Sequence, residues 1–276
     1  MSRLVCLYRQ CQIETDELNA AAQHFTCLDR RGLCQKDDLV VGRYSVLPWY
    51  TELYKDLEDT GAKLIQTPAM HNWIADMDWA FDGSLDELTF PTWLGCHEAP
   101  KNEAPFVLKG KTNSKKQNWS ELMYAETWDE AVQIESLLMR DGLLGEQGIV
   151  VRKFVPLVTY FNAIGGMPIT KEFRVFIFNR HILSIGYYWH AFEEDLKIHG
   201  YEVPLARDIP TSFVEEIIQR VYAYGRDPMF YVVDIGEDIN GRWWVIELND
   251  GQMSGLSAND PEVLYKKLSE QMNSIK

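Results

Sequence analysis

The stretch FYVVDIGEDINGRWWVIELN, residues 230–249, places an Asn-Gly pair between two apolar runs. This arrangement is the strongest short signal of a β-hairpin, because both positions of a two-residue turn need positive φ angles. A two-residue loop at Asn240-Gly241 makes Asp234 and Glu247 direct cross-strand neighbours, with Cβ atoms about 4.5–5.5 Å apart. Asn249 follows two residues later, so it lies on the same face of the hairpin as Glu247.

Asp234, Glu247 and Asn249 would thus bring two carboxylates and an amide oxygen together on an apolar hairpin. Carboxylates this close repel each other unless a cation lies between them. Hard oxygen ligands suit Mg²⁺, which takes one or two carboxylates and completes its coordination with phosphate oxygens and water. The pattern therefore indicates a magnesium site. A structural alternative stays open, in which Asp234 only ends its strand and Glu247 forms a salt bridge with a lysine.

Arg174 interrupts an otherwise apolar run, KEFRVFIF at residues 171–178. A buried guanidinium needs an anion as its partner, and its planar fork suits a phosphate or a carboxylate. The sequence leaves open whether that anion belongs to a bound ligand or is the carboxylate of Asp234 or Glu247. Lys109, which ends the apolar run FVLK and precedes a glycine, is a further candidate contact for phosphate.

Several familiar motifs are excluded by their spacing. Gly110-Lys111-Thr112 is similar to the end of a P-loop, but Pro105 stands where that motif needs its first glycine. The sequence has no dinucleotide-binding glycine fingerprint, and GQMSG at residues 251–255 lacks the spacing of a nucleophile elbow. The five cysteines lack the paired spacing of zinc ribbons, which predicts reduced thiols in an intracellular protein.

Composition and charge predict an ordinary folded protein of the cytoplasm. The 276 residues include 27 Lys and Arg against 41 Asp and Glu, a formal net charge of −14, and 46% are apolar. This acidic balance argues against a protein that coats a long nucleic acid through the phosphate backbone. No apolar stretch approaches the ~18–20 residues of a membrane span, and Arg9 interrupts the first apolar run too soon for a secretory signal.

Strands and helices are expected to alternate up to about residue 95 and then to give way to mainly extended runs. The spacing of apolar residues predicts helices at residues 14–25, 48–57, 128–140 and 212–224. Extended runs are predicted at residues 4–8, 38–42, 63–65, 106–109, 149–158, 172–178, 182–189, 230–235 and 243–248. This order predicts an α+β protein with a small α/β domain at residues 1–95, followed by a largely antiparallel domain at residues 96–276.

The order of the motifs resembles that of the ATP-grasp superfamily, whose members hold ATP between two α+β lobes. The features that carry the resemblance are, in order, Lys109 with the polar loop after it, the VVRKFV run at residues 150–155, Arg174, Asp234 and the ELN run at residues 247–249. The similarity is greatest to a clade of phages and bacteria named for its arginine and two lysines. The most similar passages are DLVVGRYS at residues 38–45, LKGKTNS at 108–114 and NDGQMSG at 249–255.

The resemblance implies an ATP-grasp fold preceded by a small α/β pre-ATP-grasp domain, with ATP and Mg²⁺ or Mn²⁺ as cofactors. It assigns catalytic contacts to Lys109 and Arg174, and the metal to Asp234, Glu247 and Asn249. It assigns nucleotide binding to Lys109, Lys111, Arg152, Lys153, Phe154, Val155, Lys171 and Arg174. It assigns substrate binding to Arg43, Tyr44, Gln252 and Ser254. At the hinge between the lobes, Arg152 and Lys153 stand where many members have an acidic residue for the ribose.

The resemblance further implies an ATP-dependent carboxylate–amine or carboxylate–thiol ligase. A substrate carboxylate would attack the γ-phosphate of ATP to give an acylphosphate and ADP, and an amine would then displace the phosphate. The expected partners are small-molecule or peptide carboxylates and amines, with no membrane and no long nucleic acid. Two alternatives stay open: an ATP-binding assembly factor or chaperone without ligase turnover, and a phage-associated ligase that modifies nucleotides or nucleic acids.

Overall fold

The structure is a computed structural model that describes residues 3–225 and 228–275, apart from the side chain of Leu143. Within these ranges it contains three four-stranded sheets and one two-stranded ribbon. No helix in the same ranges is long and apolar enough to cross a membrane. The parallel sheet comes first along the chain and the antiparallel sheets follow, as expected from the sequence.

The N-terminal part of the chain forms a parallel sheet with helices between its strands. Its elements are β1 (Leu4–Tyr8), α1 (Thr15–Ala22), β2 (Thr26–Leu28), β3 (Leu39–Arg43), α2 (Tyr50–Thr60), β4 (Lys63–Leu64) and α3 (Pro68–Ala75). The strand order is β2-β1-β3-β4, and all neighbours are parallel. The predicted alternation of strands and helices is therefore confirmed for this part.

Two helices of this part differ from the sequence-based prediction. Helix α2 continues to Thr60 rather than ending at Leu57, because Gly61, with φ of +79°, supplies the left-handed residue that closes a helix. Helix α3 is missing from the prediction, although its start signals are present in the sequence. The Thr67 hydroxyl accepts a hydrogen bond from a backbone N–H of the first turn, and Pro68 is the first helical residue.

The next sheet is antiparallel and carries Lys109. Its elements are β5 (Thr92–Leu94), β6 (Phe106–Gly110), α4 (Trp119–Leu122), β7 (Tyr124–Ala125), α5 (Trp128–Leu138), α6 (Gly142–Gln147) and β8 (Ile149–Lys153). The strand order is β5-β8-β6-β7. Helix α5 packs on this sheet through Ala131, Ile134 and Leu138, which confirms the apolar face predicted for it.

The remaining elements form a central antiparallel sheet and a short ribbon. They are β9 (Thr159–Asn162), β10 (Pro168–Thr170), β11 (Glu172–Phe178), β12 (His181–Tyr187), α7 (Glu193–Ile198), α8 (Thr211–Ala223), β13 (Phe230–Glu237), β14 (Trp243–Asp250) and α9 (Pro261–Ser274). Strands β9 and β10 pair with each other, and the central sheet has the order β12-β11-β13-β14. The run expected to stay extended to residue 158 is a strand only to Lys153.

The central sheet is buried on both faces, because successive side chains of a strand point to opposite sides. On β11, Val175 and Ile177 pack in one apolar cluster with helix α8, whereas Phe176 and Phe178 pack in another with helix α9 and strand β1. All four side chains are fully buried. A charged residue on this strand therefore has little water around it and needs a partner from the protein or a ligand.

The hairpin of β13 and β14 confirms the predicted pairing of Asp234 with Glu247, but the predicted two-residue loop is wrong. The N–H of Asp238 donates to the carbonyl of Arg242 at 2.8 Å, so the loop has three residues, and Gly241 ends it with φ of +82°. A bulge at Ile246 then adds one residue to β14. The longer loop and the bulge shift the register in opposite directions, which restores the predicted pairing.

Candidate functional site

Asp234 lies at the centre of a polar row across the central sheet. Arg174 donates from Nε to Oδ1 and from Nη2 to Oδ2 of Asp234, both at 2.8 Å. Asn249 donates from Nδ2 to the same Oδ2 at 3.2 Å, which places Asn249 on the same face as Asp234. The Asp234 side chain is 1% exposed. Of the two partners left open for Arg174, the structure shows the internal ion pair with Asp234.

Glu247 continues the row and pairs with Lys109, whose Nζ donates to Oε1 of the carboxylate. Burial alone would raise the pKa of Glu247, but the charges of Lys109 and Lys116 lower it to about 2. Burial lowers the pKa of Lys109, and the carboxylate of Glu247 opposes that shift. Glu247 is therefore an ionised oxygen donor at neutral pH, and it faces a cation.

An apolar cavity of about 890 Å³ lies on one side of this pair. Its wall includes Lys153, Phe154 and Val155, the residues that follow strand β8. Other apolar side chains complete the wall, among them Val107, Met123, Leu157, Met167 and Ile246. A flat apolar group with a few polar edges fits such a cavity.

Arg152 also lines the apolar cavity and has no carboxylate partner among the residues that the structure describes. Its guanidinium donates to the carbonyl of Ile246 and, at 2.8 Å, to the hydroxyl of Thr89. Burial lowers the pKa of Arg152 to about 10, although the nearby charge of Glu247 acts in the opposite direction. Arg152 therefore places a positive charge beside the cavity that only neutral acceptors and Glu247 offset.

A polar cavity of about 1150 Å³ lies on the other side of the Lys109–Glu247 pair. The cations Lys111 and Arg174 line it, together with Asn249. The two cavities share four residues, Lys109, Ser114, Lys116 and Glu247. One elongated ligand can therefore reach from the apolar cavity into the polar one along this shared wall.

Lys116 is a residue of this wall that the sequence analysis left unassigned. It is buried, its Nζ donates to the hydroxyl of Tyr188 at 2.5 Å, and it lies over the Trp189 ring at 5.0 Å from the centroid. Burial lowers the pKa of Lys116, but Tyr188 and Glu172 outweigh this and raise it overall. The available signal was the Lys115-Lys116 pair at the end of the basic loop.

Lys171 and the candidate substrate residues are placed differently. Lys171 pairs with Glu237 at 2.6 Å and is not part of either cavity wall described above. Arg43 is buried in an ion pair with Glu17 at 2.7 Å and donates to the carbonyl of Ser254 at 2.8 Å. These contacts show Lys171 and Arg43 as internal ion-pair residues in this conformation.

The other three candidates lie around the loop at residues 251–255. Gln252 is buried, accepts from the N–H of Gly42 at 3.0 Å and donates to Tyr50 at 2.7 Å. Tyr44 is also buried, in the apolar cluster of the parallel sheet. Ser254 lines the polar cavity, and its hydroxyl donates to the carbonyl of Asp250 at 2.8 Å. Of the substrate candidates, the structure brings Ser254 to the cavity.

Glu247 and Asn249 fit a divalent ion better than Asp234 does. Both line the polar cavity, whereas the two oxygens of Asp234 are engaged by Arg174 and Asn249. In residues 3–225 and 228–275, no three His, Cys, Asp or Glu side chains form a group that could hold a metal. Mg²⁺ does not need such a group, since one or two protein oxygens, phosphates and water can complete its coordination.

The fold and the paired cavities define an ATP-grasp domain. The chain belongs to family 3 of the ATP-grasp domains in the clade named for its arginine and two lysines, and the model of that family matches residues 96–268. This membership confirms the superfamily and the fold expected from the sequence. It also gives the chain the expected enzyme class, an ATP-dependent ligase of ATP-grasp type.

Solved structures of similar fold match nearly the whole chain. D-cycloserine synthetase DcsG has a TM-score of 0.60 at 13% identity, covering 98% of this chain and 99% of that one. A RiPP-associated ATP-grasp ligase of Chryseobacterium gregarium, in complex with ADP and a leader and core peptide, has 0.62 at 10%, covering 100% and 98%. D-alanyl-alanine synthetase A of Vibrio cholerae has 0.56 at 11%, covering 98% and 93%. No curated protein matches the sequence.

Proposed function

We propose that the protein is an ATP- and Mg²⁺-dependent ligase that joins a carboxylate to an amine or a thiol through an acylphosphate. The observation that carries the proposal is the meeting of an apolar and a polar cavity along one wall that includes Lys109, Lys116 and Glu247. An apolar site for a base next to a polar site rich in cations is what a nucleoside triphosphate needs. Family membership supports the same ligand.

The adenine and ribose of ATP fit the apolar cavity, beside Lys153, Phe154 and Val155. The triphosphate then lies along the shared wall and points into the polar cavity. There, Lys109, Lys111 and Lys116 offer positive charge to its oxygens. Arg152 adds a further buried cation on the apolar side, where this chain has no acidic residue for the ribose.

Glu247 and Asn249 would hold Mg²⁺ in the polar cavity, with Asp234 behind them fixing Arg174 and Asn249. In the structure, Lys109 neutralises Glu247. When both ligands bind, Lys109 can turn to a phosphate and Glu247 to the metal, so each buried charge exchanges one partner for another rather than losing it. Bound Mg²⁺ would supply neutralisation of the phosphoryl group during its transfer.

Arg174 is proposed as a fixed positive charge beside the transferring phosphoryl group. It lines the polar cavity, while Asp234 and the carbonyl of Gly255 hold its guanidinium in place. A preorganised charge of this kind stabilises the transition state without rearranging. Arg174→Ala should therefore lower turnover by about 10²–10³-fold. A near-normal turnover in that variant would contradict this role.

The acceptor side of the polar cavity comes from the N-terminal part of the chain, through Ser45, Leu47, His71 and Ile74. This supports a division into a substrate-side domain at residues 1–95 and an ATP-grasp domain at residues 96–276. A cavity of about 1150 Å³ has room for the end of a triphosphate and for a small acid or one end of a peptide. The solved neighbours name both kinds of compound, since two are synthetases of small molecules and one is in complex with a peptide.

Thermal unfolding with ATP or ADP, each with and without Mg²⁺, tests the binding part of the proposal. Nucleotide at 100 times its dissociation constant should add about 2.7 kcal/mol to the free energy of unfolding. Glu247→Gln should reduce the part of this gain that depends on Mg²⁺. The absence of any shift with either nucleotide would contradict the proposal.

Release of ADP in the presence of mixed carboxylates and amines tests the ligase part. We expect release that depends on both the acid and Mg²⁺, with phosphate as the second product. Binding of ATP without turnover across a broad metabolite extract would instead favour an ATP-binding assembly factor. Turnover that requires a nucleotide or nucleic acid as acceptor would favour the modifying ligase.

A further inference from the structure

His71 and Asp250 form a buried hydrogen-bonded pair in the wall of the polar cavity. Nδ1 of His71 lies 2.8 Å from Oδ2 of Asp250, and each side chain is only 3% exposed. His71 is on helix α3 and Asp250 ends strand β14, directly after Asn249. The pair therefore joins the N-terminal part of the chain to the strand that carries Glu247 and Asn249.

The imidazole of His71 is held from two further directions. The ring of Tyr50 stacks on it with centroids 3.9 Å apart and planes 4° apart. Gln252 donates to Tyr50 from its side chain and to Oδ1 of Asp250 from its backbone N–H at 2.9 Å. Both neighbours of the imidazole are thus fixed by the same residue, so the ring has a defined orientation.

These contacts also determine the tautomer of His71. A carboxylate accepts hydrogen bonds, so the neutral imidazole carries its proton on Nδ1 and keeps a lone pair on Nε2. Nε2 has no hydrogen-bond partner among the described residues, and His71 lines the polar cavity. A histidine that only bridges two elements needs no free acceptor nitrogen at a ligand cavity.

We propose that His71 is the general base that deprotonates an acceptor amine, and that Asp250 is its positioning residue. The inference rests on the proposed function and deepens it, because it selects a primary amine as the acceptor. An amine arrives as an ammonium ion, which has no lone pair and cannot attack an acylphosphate. A carboxylate–histidine pair supplies the missing base in the geometry that proton transfer uses.

The proton balance of the step is complete. Nε2 of His71 takes one proton from the ammonium ion, and the freed lone pair of the nitrogen attacks the acyl carbon. The bond between the acyl carbon and the phosphate oxygen then breaks, and the second proton of the nitrogen passes to the leaving phosphate. The products are an amide and inorganic phosphate, and the imidazolium of His71 returns its proton to water.

The charges around His71 favour this transfer. Lys109, Lys111 and Arg174 line the same cavity, and positive charges next to an ammonium ion favour loss of its proton. Asp250 stabilises the imidazolium that forms, because the two are in direct hydrogen-bond contact. The cavity thus disfavours a charged acceptor and supports a charged base.

The first test determines the tautomer and needs no substrate. The chain has six histidines, so ¹⁵N-histidine spectra of the full-length protein are simple enough to assign His71 by its absence in His71→Asn. The asparagine keeps an N–H donor near the position of Nδ1 and removes Nε2, so it preserves the contact with Asp250. We expect Nδ1 protonated and Nε2 unprotonated at neutral pH. The opposite tautomer, with a proton on Nε2, would overturn the proposal.

The second test separates acyl transfer from acylphosphate formation. The probes are ATP, Mg²⁺ and an equimolar mixture of the twenty amino acids, with or without hydroxylamine. Hydroxylamine is largely uncharged at neutral pH, so it traps an acylphosphate as a hydroxamate without a base. His71→Asn should keep hydroxamate formation within a few-fold of the native protein, while amide formation falls by about 10²–10⁴-fold.

The outcomes distinguish this inference from the proposed function. Amide formation that stays near the native rate in His71→Asn, or hydroxamate and amide formation that fall together, would overturn the role of His71. The absence of hydroxamate with the native protein would contradict the proposed function, and the inference would fall with it. His97→Asn, at a side chain that is 77% exposed, is the matched control and should change neither rate.

Discussion

Asp234 on β13 lies directly opposite Arg174 on β11 and directly opposite Glu247 on β14. Lys109 completes the row through its contact with Glu247, so two cations stand at the ends and two carboxylates in the middle. The repulsion between neighbouring carboxylates is therefore relieved by the protein itself. This balance explains how an apolar sheet can hold four ionised side chains at a ligand cavity.

Replacing Asp234 by alanine should strongly destabilise the fold. Arg174 would keep its charge, with its side chain 11% exposed, but would lose its bidentate partner. Removing one member of a buried pair costs about 3–5 kcal/mol, because the other charge is left uncompensated. Urea unfolding of Asp234→Ala and the native protein measures the difference.

The exposed pair of Glu194 and Lys197 is the control for this measurement. Their side chains are 84% and 57% exposed, and Glu194→Ala should cost less than about 1 kcal/mol. A loss in Asp234→Ala as small as that in Glu194→Ala would show that the Arg174 charge is not buried in solution.

Glu247 should make the stability of the protein fall steeply in acid. Its pKa in the folded protein is about 2, below the ordinary value of 4.5, so the unfolded chain takes up the proton first. The contribution of Glu247 is thus complete above pH 4.5 and is lost as the pH falls toward 2, on the order of 3 kcal/mol. Denaturant unfolding at a series of pH values measures this dependence.

Two variants check the assignment to Glu247. Glu247→Gln cannot take up the proton, so its stability should fall less between pH 5 and pH 2 than that of the native protein. Glu194→Gln changes a carboxylate that is mostly exposed and should keep the native dependence. An unchanged acid dependence in Glu247→Gln would remove the Lys109–Glu247 pair as its cause.

Lys116→Gln should weaken ATP binding, because it removes a buried cation from the wall shared by the two cavities. A charge-assisted contact to a phosphate is worth about 1.5–3 kcal/mol, so we expect at least about a tenfold increase in Kd. Titration calorimetry measures the constant. Lys115→Gln is the matched control, since Lys115 pairs with Asp141 and is not in either wall. Equal affinities of the two variants would exclude Lys116 as a phosphate contact.

The sequence predicted the central hairpin well because two local rules act there together. The Asn-Gly signal placed the turn, and the alternation of side chains placed Asp234 and Glu247 on one face. The position of the loop was off by one residue, and the bulge at Ile246 compensated for it. A bulge depends on how both strands pack on their neighbours, so no local pattern in the sequence could reveal it.

The partner of Arg174 and the role of the N-terminal residues could not be predicted in the same way. The pairing of β11 with β13 joins segments about 60 residues apart, and no turn signal fixes its register. His71 reaches Asp250 across 179 residues, on a helix that the pattern analysis did not predict. Such contacts follow from the packing of whole elements, which single motifs do not encode.

Gly186→Ala should disturb both the fold and the site. Gly186 lies opposite Arg174 on β12, and a Cβ atom there would approach the backbone of Ala258 and Asn259 to 2.4 and 2.3 Å. Asn259 donates to the carbonyl of Arg174, so a shift of this loop would also loosen Arg174. We expect a loss of about 1–3 kcal/mol in urea unfolding and a weaker nucleotide affinity. Gly142→Ala is the matched control, because nothing lies within 4 Å of its Cβ position, and native behaviour in both variants would contradict this account.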